Sequence, residues 1–121
     1  TTFLRSYDAM DIALDSFPYN GGTSTAEALW QGVPVLTTVG DRWAGRTSRS
    51  ILAAAGFGKD VAADEAAFVA LAVRRAADRL ALAERRARQR AAVAASPACD
   101  PASLCRELEA IYVDLLDARR R

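Results

Sequence analysis

Apolar and polar positions follow two different rhythms along this chain, and the rhythm changes near residue 63. Before that point short apolar runs are separated by glycine-bearing loops; after it apolar residues recur every three or four positions in long stretches rich in alanine and arginine. Ile12-Ala13-Leu14, bracketed by Asp11 and Asp15 and followed by Ser16-Phe17-Pro18-Tyr19-Asn20-Gly21-Gly22, predicts a short buried strand leaving its sheet. Thr23 to Trp30 opens on hydroxyl residues suited to a helix start, continues with good helix formers and is stopped by Gly32, which predicts a helix of about two turns. The β-branched, apolar run Val33 to Thr38 predicts a second strand, so the three elements make a βαβ unit with a parallel pair and a right-handed crossover. A turn at Gly40-Asp41-Arg42, a helix from Thr47 to Ala55 closed by Gly56, and a short strand at Val61-Ala62 complete the front part.

In the back part Phe68, Leu71, Ala72, Ala76 and Leu80 start a helical spacing that persists through Ala83, Ala87 and Ala91, as one long helix or two in tandem. Ser96 to Pro101 breaks it, and Leu104, Leu108, Ile111, Tyr112 and Leu115 form the apolar stripe of a terminal helix ending at Arg119-Arg120-Arg121. The expected fold class is α/β, a partial Rossmann-like parallel sheet followed by carboxyl-terminal helices, with residues 1–63 as the α/β portion and 64–121 as the helical portion of one domain. A length of 121 residues supports a single core and not two.

A formal charge of +1 removes the cheapest argument for nucleic acid or an anionic membrane. Arg85, Arg86, Arg88 and Arg90 alternate with alanines in the manner of a solvated face. No apolar run reaches the roughly 18 residues of a spanning helix, and the start Thr1-Thr2-Phe3-Leu4-Arg5 lacks the order of a signal peptide, so a soluble, cytoplasmic protein is expected. The chain opens on Thr within a helical stretch, which points to a piece of something longer. Histidine is absent, which excludes histidine triads and zinc sites built on histidine. Cys99 and Cys105 are read as reduced structural thiols, and no metal is expected.

Chemistry concentrates in Asn20-Gly21-Gly22-Thr23-Ser24-Thr25-Ala26-Glu27. A strand that ends in a Gly-Gly loop and runs into a helix brings free backbone N–H groups and the helix dipole to one point, an arrangement that attracts phosphate. Gly21 and Gly22 let the backbone approach an anion, and Thr23, Ser24 and Thr25 add hydroxyl donors. On the local residues alone a capping box, Ser24 with Glu27, explains the segment equally well. Glu27, one turn in, has the chemistry to accept hydrogen bonds from two ribose hydroxyls. No lysine follows the glycines and no GxGxxG is present, so neither a P-loop nor a dinucleotide fingerprint is found.

The run from Asp11 through Thr37, then Gly40-Asp41-Arg42, and further on Ala95-Ser96-Pro97 and Arg106 to Tyr112, resembles the O-linked N-acetylglucosamine transferase/SPINDLY family of glycosyltransferases. The resemblance implies the carboxyl-terminal, donor-binding half of a GT-B fold, an acceptor half and tetratricopeptide repeats upstream, and transfer of an N-acetylglucosamine-like sugar to protein Ser or Thr hydroxyls. It places the donor pyrophosphate on Thr23 and Ser24 and the ribose on Glu27, with a nucleoside diphosphate sugar, UDP-linked, as donor substrate and no cofactor. Gly22 stands where some members have histidine, and Phe3 near where the family has a histidine-leucine pair.

Other residues are read as structure. Phe17-Pro18-Tyr19 packs its loop in preference to stacking on a base, Trp30 is core, and for Asp41, Arg42 and Arg46 a surface ion pair and a guanidinium contact to a phosphate both stand open. Among the carboxylates Asp8, Asp11 and Asp15, the latter two bond loop backbone, and the catalytic base is unassigned. Two rivals remain: a non-catalytic interaction module that docks a partner on the Leu104 to Leu115 stripe, and a different GT-B transferase, such as an O-fucosyltransferase or a lipid-linked sugar transferase. Alone, the chain is expected to lack turnover and to self-associate through its open sheet edge or its terminal stripe.

Overall fold

A computed structural model describes residues 2–120 of the chain. The expectations that touch Thr1 and Arg121 lie outside the described residues. A short helix α1 (Thr2–Arg5) and a 3₁₀ turn (Ser6–Ala9) lead into strand β1 (Ala13–Leu14). Helix α2 (Thr23–Trp30), strand β2 (Val35–Thr38), helix α3 (Thr47–Ala54) and strand β3 (Val61–Ala62) follow. Three helices close the chain: α4 (Glu65–Ala77), α5 (Arg79–Ala94) and α6 (Pro101–Arg119).

The strands lie in the order β1-β2-β3, all parallel, with Ala13 opposite Val35 and Thr37 opposite Val61. This is the βαβ unit read from the sequence, with a third strand added on the far side. Consecutive residues of a strand face opposite sides, so β2 divides the core. Val35 packs with Ala28, Leu29, Leu52, Ala55 and Val93 on one face, while Leu36 packs with Ala62, Phe68 and Leu71 on the other. Helices therefore cover both faces, as a parallel sheet requires. Burying a leucine as completely as Leu29, Leu36 or Leu52 contributes about 1.5–3 kcal/mol.

The structure corrects several expectations. It also decides between the two readings of the stretch after residue 64 in favour of two helices in tandem, broken at Asp78, whose carboxylate accepts from Ala81 N and caps α5. Strand β1 is shorter than expected and leaves Leu14 exposed, because its outer side has no neighbouring strand among the described residues. Trp30 is not core: it is partly exposed and covered by the Arg90 guanidinium, 4.7 Å from the ring centre. The arginines of α5 are not merely a solvated face. Arg85 pairs with the buried Asp60 and lies over Phe57, while Arg86 donates to the carbonyls of Met10 and Tyr7, each at 2.7 Å. Gln89, also on α5, is buried and donates to the carbonyls of Leu29 and Val33, at the end of α2 and ahead of β2. Cys99 and Cys105 are free and exposed, so neither is a packed structural thiol.

Helix α6 is capped by Asp100, which accepts from the N–H and the hydroxyl of Ser103. These bonds, the hydroxyl's first, hold the Asp100 carboxyl below its ordinary range. Not one of the 19 residues of α6 is buried, and its apolar stripe stands open. No described helix is long and apolar enough to cross a membrane.

Candidate phosphate-binding site

The loop after β1 is fixed from several directions. Asp15 accepts from Gly21 N at 2.9 Å with one carboxylate oxygen and from the Thr37 hydroxyl at 2.7 Å with the other, tying the glycine loop to β2. This is the backbone bond expected of Asp15; Asp11 is exposed at the other end of the strand. Ser16 donates to Tyr19 O, and Asn20, itself buried, donates through its side chain to Ser16 O and through its N–H to Ala44 O. That last bond stitches the loop to the turn that follows β2.

Ser48, in the first turn of α3, completes the frame. Its hydroxyl donates to Gly21 O at 3.0 Å and lies 2.8 Å from Thr25 Oγ1. Gly21 is thus held at both its N–H and its C=O. A Cβ there would lie 2.6 Å from Ser24 Oγ and 2.7 Å from Thr25 Oγ1, so the position has no room for a side chain. At Gly22 a Cβ would meet only Thr47 Cγ2, at 3.6 Å.

Helix α2 starts on Gly22 with no side-chain cap. The capping box of Ser24 and Glu27 is therefore not formed, because the helix begins one residue before Ser24 and leaves it inside the first turn. The first intrahelical bond runs from Ala26 N to Gly22 O. The N–H groups of Thr23, Ser24 and Thr25 precede it and have no carbonyl of the same helix to donate to. Thr23 and Ser24 are exposed, and Ser24 Oγ lies beside Gly21. Thr25 differs: it is buried, its hydroxyl shared with Ser48, so it offers this end of the helix its backbone N–H and not the side-chain donor read from the sequence. A cavity of about 280 Å³ opens here, lined by Tyr7, Asp15, Ser16, Gly21, Ser24 and Thr25 among others.

Glu27 is half-buried one turn into α2, beside Tyr7. Tyr7 is buried and donates to Ser24 O at 3.3 Å; burial, then the adjacent Glu27 carboxylate, raises its phenol above the ordinary tyrosine value. Asp41 and Arg42 pair at 2.8 Å in full exposure, which keeps the carboxyl below and the guanidinium above their usual values, and Arg46 donates to Gly40 O. The Asp41–Arg42 pair is the surface ion pair expected there, whereas Arg46 bonds a backbone carbonyl instead. Phe17 meets Phe68 edge-on at 6.1 Å, whereas Tyr19 stands largely exposed, so only part of the aromatic loop packs. Ser48 and Tyr7 had no signal in the sequence: each acts on the loop from a distant element, and neither sits in a local motif.

A pinned Gly-Gly loop that runs from a parallel strand into an uncapped helix start defines an α/β unit suited to binding an anionic group. The chain belongs to glycosyl transferase family 41, which matches residues 2–108. It is 43% identical over 109 residues to the probable UDP-N-acetylglucosamine–peptide N-acetylglucosaminyltransferase SPINDLY of Oryza sativa subsp. japonica, covering 90% of this chain and 12% of that protein. The protein of that name from Arabidopsis thaliana is 40% identical over the same share. Among solved structures, an O-GlcNAc transferase mutant (K341M) of Thermobaculum terrenum superposes with a TM-score of 0.78 at 36% identity, over 93% of this chain and 22% of that one. The family expectation and the α/β fold class both hold. The chain spans about an eighth of the length of the plant relatives.

Proposed function

We propose that this chain is the donor-binding part of a glycosyltransferase that moves a sugar, N-acetylglucosamine-like, from a nucleoside diphosphate to Ser or Thr hydroxyls of proteins. The observation that carries the reading is the uncapped first turn of α2, fed by a glycine loop whose Gly21 is fixed at both polar atoms. The N–H groups of Thr23, Ser24 and Thr25, with the hydroxyls of Thr23 and Ser24, bind the diphosphate, and Gly21 and Gly22 admit it close to the backbone. Glu27 receives the ribose hydroxyls. As the bond from sugar to diphosphate breaks, negative charge grows on the departing phosphate, and these oriented donors stabilise it.

The names of the relatives support a UDP-linked donor and a peptide acceptor. In this reading no metal takes part, and residues 1–63 carry the donor contacts while 64–121 brace them. Acceptor, catalytic base and base-reading groups are supplied by chain outside this sequence. Two free, exposed cysteines fit a reducing compartment, the cytoplasm.

The test is calorimetric and thermal titration of the full-length protein with UDP, GDP and uridine. UDP raises the melting temperature and uridine does not; Thr23→Val with Ser24→Ala removes the UDP effect. A larger response to GDP transfers the reading to a transferase with another donor, such as an O-fucosyltransferase. No response to either diphosphate at millimolar concentration overturns the donor site. The exposed α6 stripe would then favour an interaction module.

A further inference from the structure

Ser48 is fully buried, and its hydroxyl stands at the centre of a chain of hydrogen bonds whose direction is fixed by proton count. A serine hydroxyl carries one proton. Ser48 Oγ donates it to Gly21 O at 3.0 Å, so in the 2.8 Å contact with Thr25 Oγ1 it is the acceptor and Thr25 the donor. The chain therefore runs from Thr25 through Ser48 to the Gly21 carbonyl. Asp15 takes the Gly21 N–H at 2.9 Å. Both polar atoms of Gly21 are thus committed within the frame, and the first backbone donor left for a ligand is the N–H of Gly22, which has no acceptor among the described residues.

Gly21 C=O and Gly22 N–H belong to one planar peptide group, and that peptide is trans, so the two bonds point in opposite directions. With the carbonyl turned in to Ser48, the Gly22 N–H is turned away from α3. We infer that Ser48 is a positioning residue: by holding the Gly21 carbonyl it aims the Gly22 N–H at the diphosphate, where it precedes the N–H groups of Thr23, Ser24 and Thr25 in one run of backbone donors. Successive N–H groups of this kind form a concavity for an anion. A carbonyl that accepts a hydrogen bond is also polarised, which strengthens the donor at the other end of the same peptide. Without the Ser48 hydroxyl this peptide plane is free to rotate, and rotation brings a carbonyl oxygen toward the phosphate in place of a donor. The role rests on the reading of the α2 start as the diphosphate site.

The test separates the two. Affinities of the full-length protein for UDP, by calorimetry, and for uridine, by ligand-observed NMR, are measured for the wild type, Ser48→Ala and Leu52→Val. Leu52 is buried on the same helix and packs in the core with Leu29, Val35 and Val93, so its truncation loosens α3 without touching the Gly21 carbonyl. The ratio of the two affinities is the readout, because a looser fold weakens both ligands and only a change at the phosphates alters the ratio. The wild type prefers UDP, Ser48→Ala reduces the preference about tenfold, near the effect of one hydrogen bond to a charged group, and Leu52→Val keeps it. Full preference in Ser48→Ala, or an equal fall in both variants, overturns the positioning role and leaves the diphosphate reading intact. A wild type that binds UDP no better than uridine overturns the diphosphate reading itself.

Discussion

The central strand β2 and the last helix α6 carry apolar side chains in comparable density, and their fates are opposite. Val35 and Leu36 are 2% and 0% exposed, whereas Leu108, Ile111 and Leu115 are 42%, 52% and 58% exposed. The strand is held by what lies far from it in sequence: β1 and β3 on its edges, α2, α3 and α5 over one face, α4 over the other. The helix is held by what lies next to it, its own ladder and the Asp100 cap. Local bonding suffices to shape a helix, but hydrophobic stabilisation comes only where another surface meets it.

The sharpest way to break this contrast is to truncate a leucine on each side of it. Leu52→Ala, at a site with no exposure, costs about 2–5 kcal/mol in urea unfolding of this chain. Leu108→Ala stays within about 0.5 kcal/mol. A large loss for Leu108→Ala would show that α6 is covered in solution, by a second copy or otherwise.

A smaller contrast lies within the glycine loop. Gly21→Ala destabilises by about 1–3 kcal/mol, because its Cβ pushes into the Thr25 hydroxyl that Ser48 holds. Gly22→Ala is close to neutral in stability, with Thr47 Cγ2 at 3.6 Å as its only neighbour. Equal unfolding midpoints for the two variants would mean that the frame around Gly21 yields.

The least effect belongs to α6 alone. Because folding lowers the pKa of Asp100, its cap contributes at neutral pH, and the contribution is lost as pH falls through the folded-state value. Helicity read by circular dichroism therefore declines slightly on acidification below the ordinary carboxylate range. In Asp100→Asn, which caps without titrating, that component of the decline is absent.

Much of this was legible in the residues. The bounds of α2, the parallel pairing of the two strands around it, and the short strand at Val61-Ala62 follow from runs of residue types whose effect is local: hydroxyls and alanines, β-branched residues, glycine stops. The same local signals misplaced the cap of α2, because Ser24-x-x-Glu27 also fits a helix that starts one residue earlier. The same run of hydroxyls presents Thr25 as a donor, because its turn toward Ser48 depends on where α3 lies. Arginine on α5 misled for a related reason. Its long side chain reaches carbonyls and a carboxylate whose positions no spacing along α5 encodes. In the site, the glycines, Thr23, Ser24 and Glu27 were visible as a motif, while Ser48 and Tyr7 were not, since each acts through a contact made only in three dimensions.

Arg86 has a bearing on the order of events in folding. The strand pair and the Asp15 to Thr37 bond close over 22 residues of chain, a short loop. The bonds from Arg86 to Met10 and Tyr7 close over 76 and 79 residues. Loop-closure entropy grows with the length enclosed, and contacts of large sequence separation form slowly. During synthesis on a ribosome the βαβ unit can therefore pair as soon as β2 emerges, but the segment carrying Tyr7 is not anchored until α5 has been made and has docked. The glycine loop acquires its frame early and its clamp late, so a nascent chain halted before residue 86 would contain the loop, the strand pair and α2 without a fixed Tyr7 beside them.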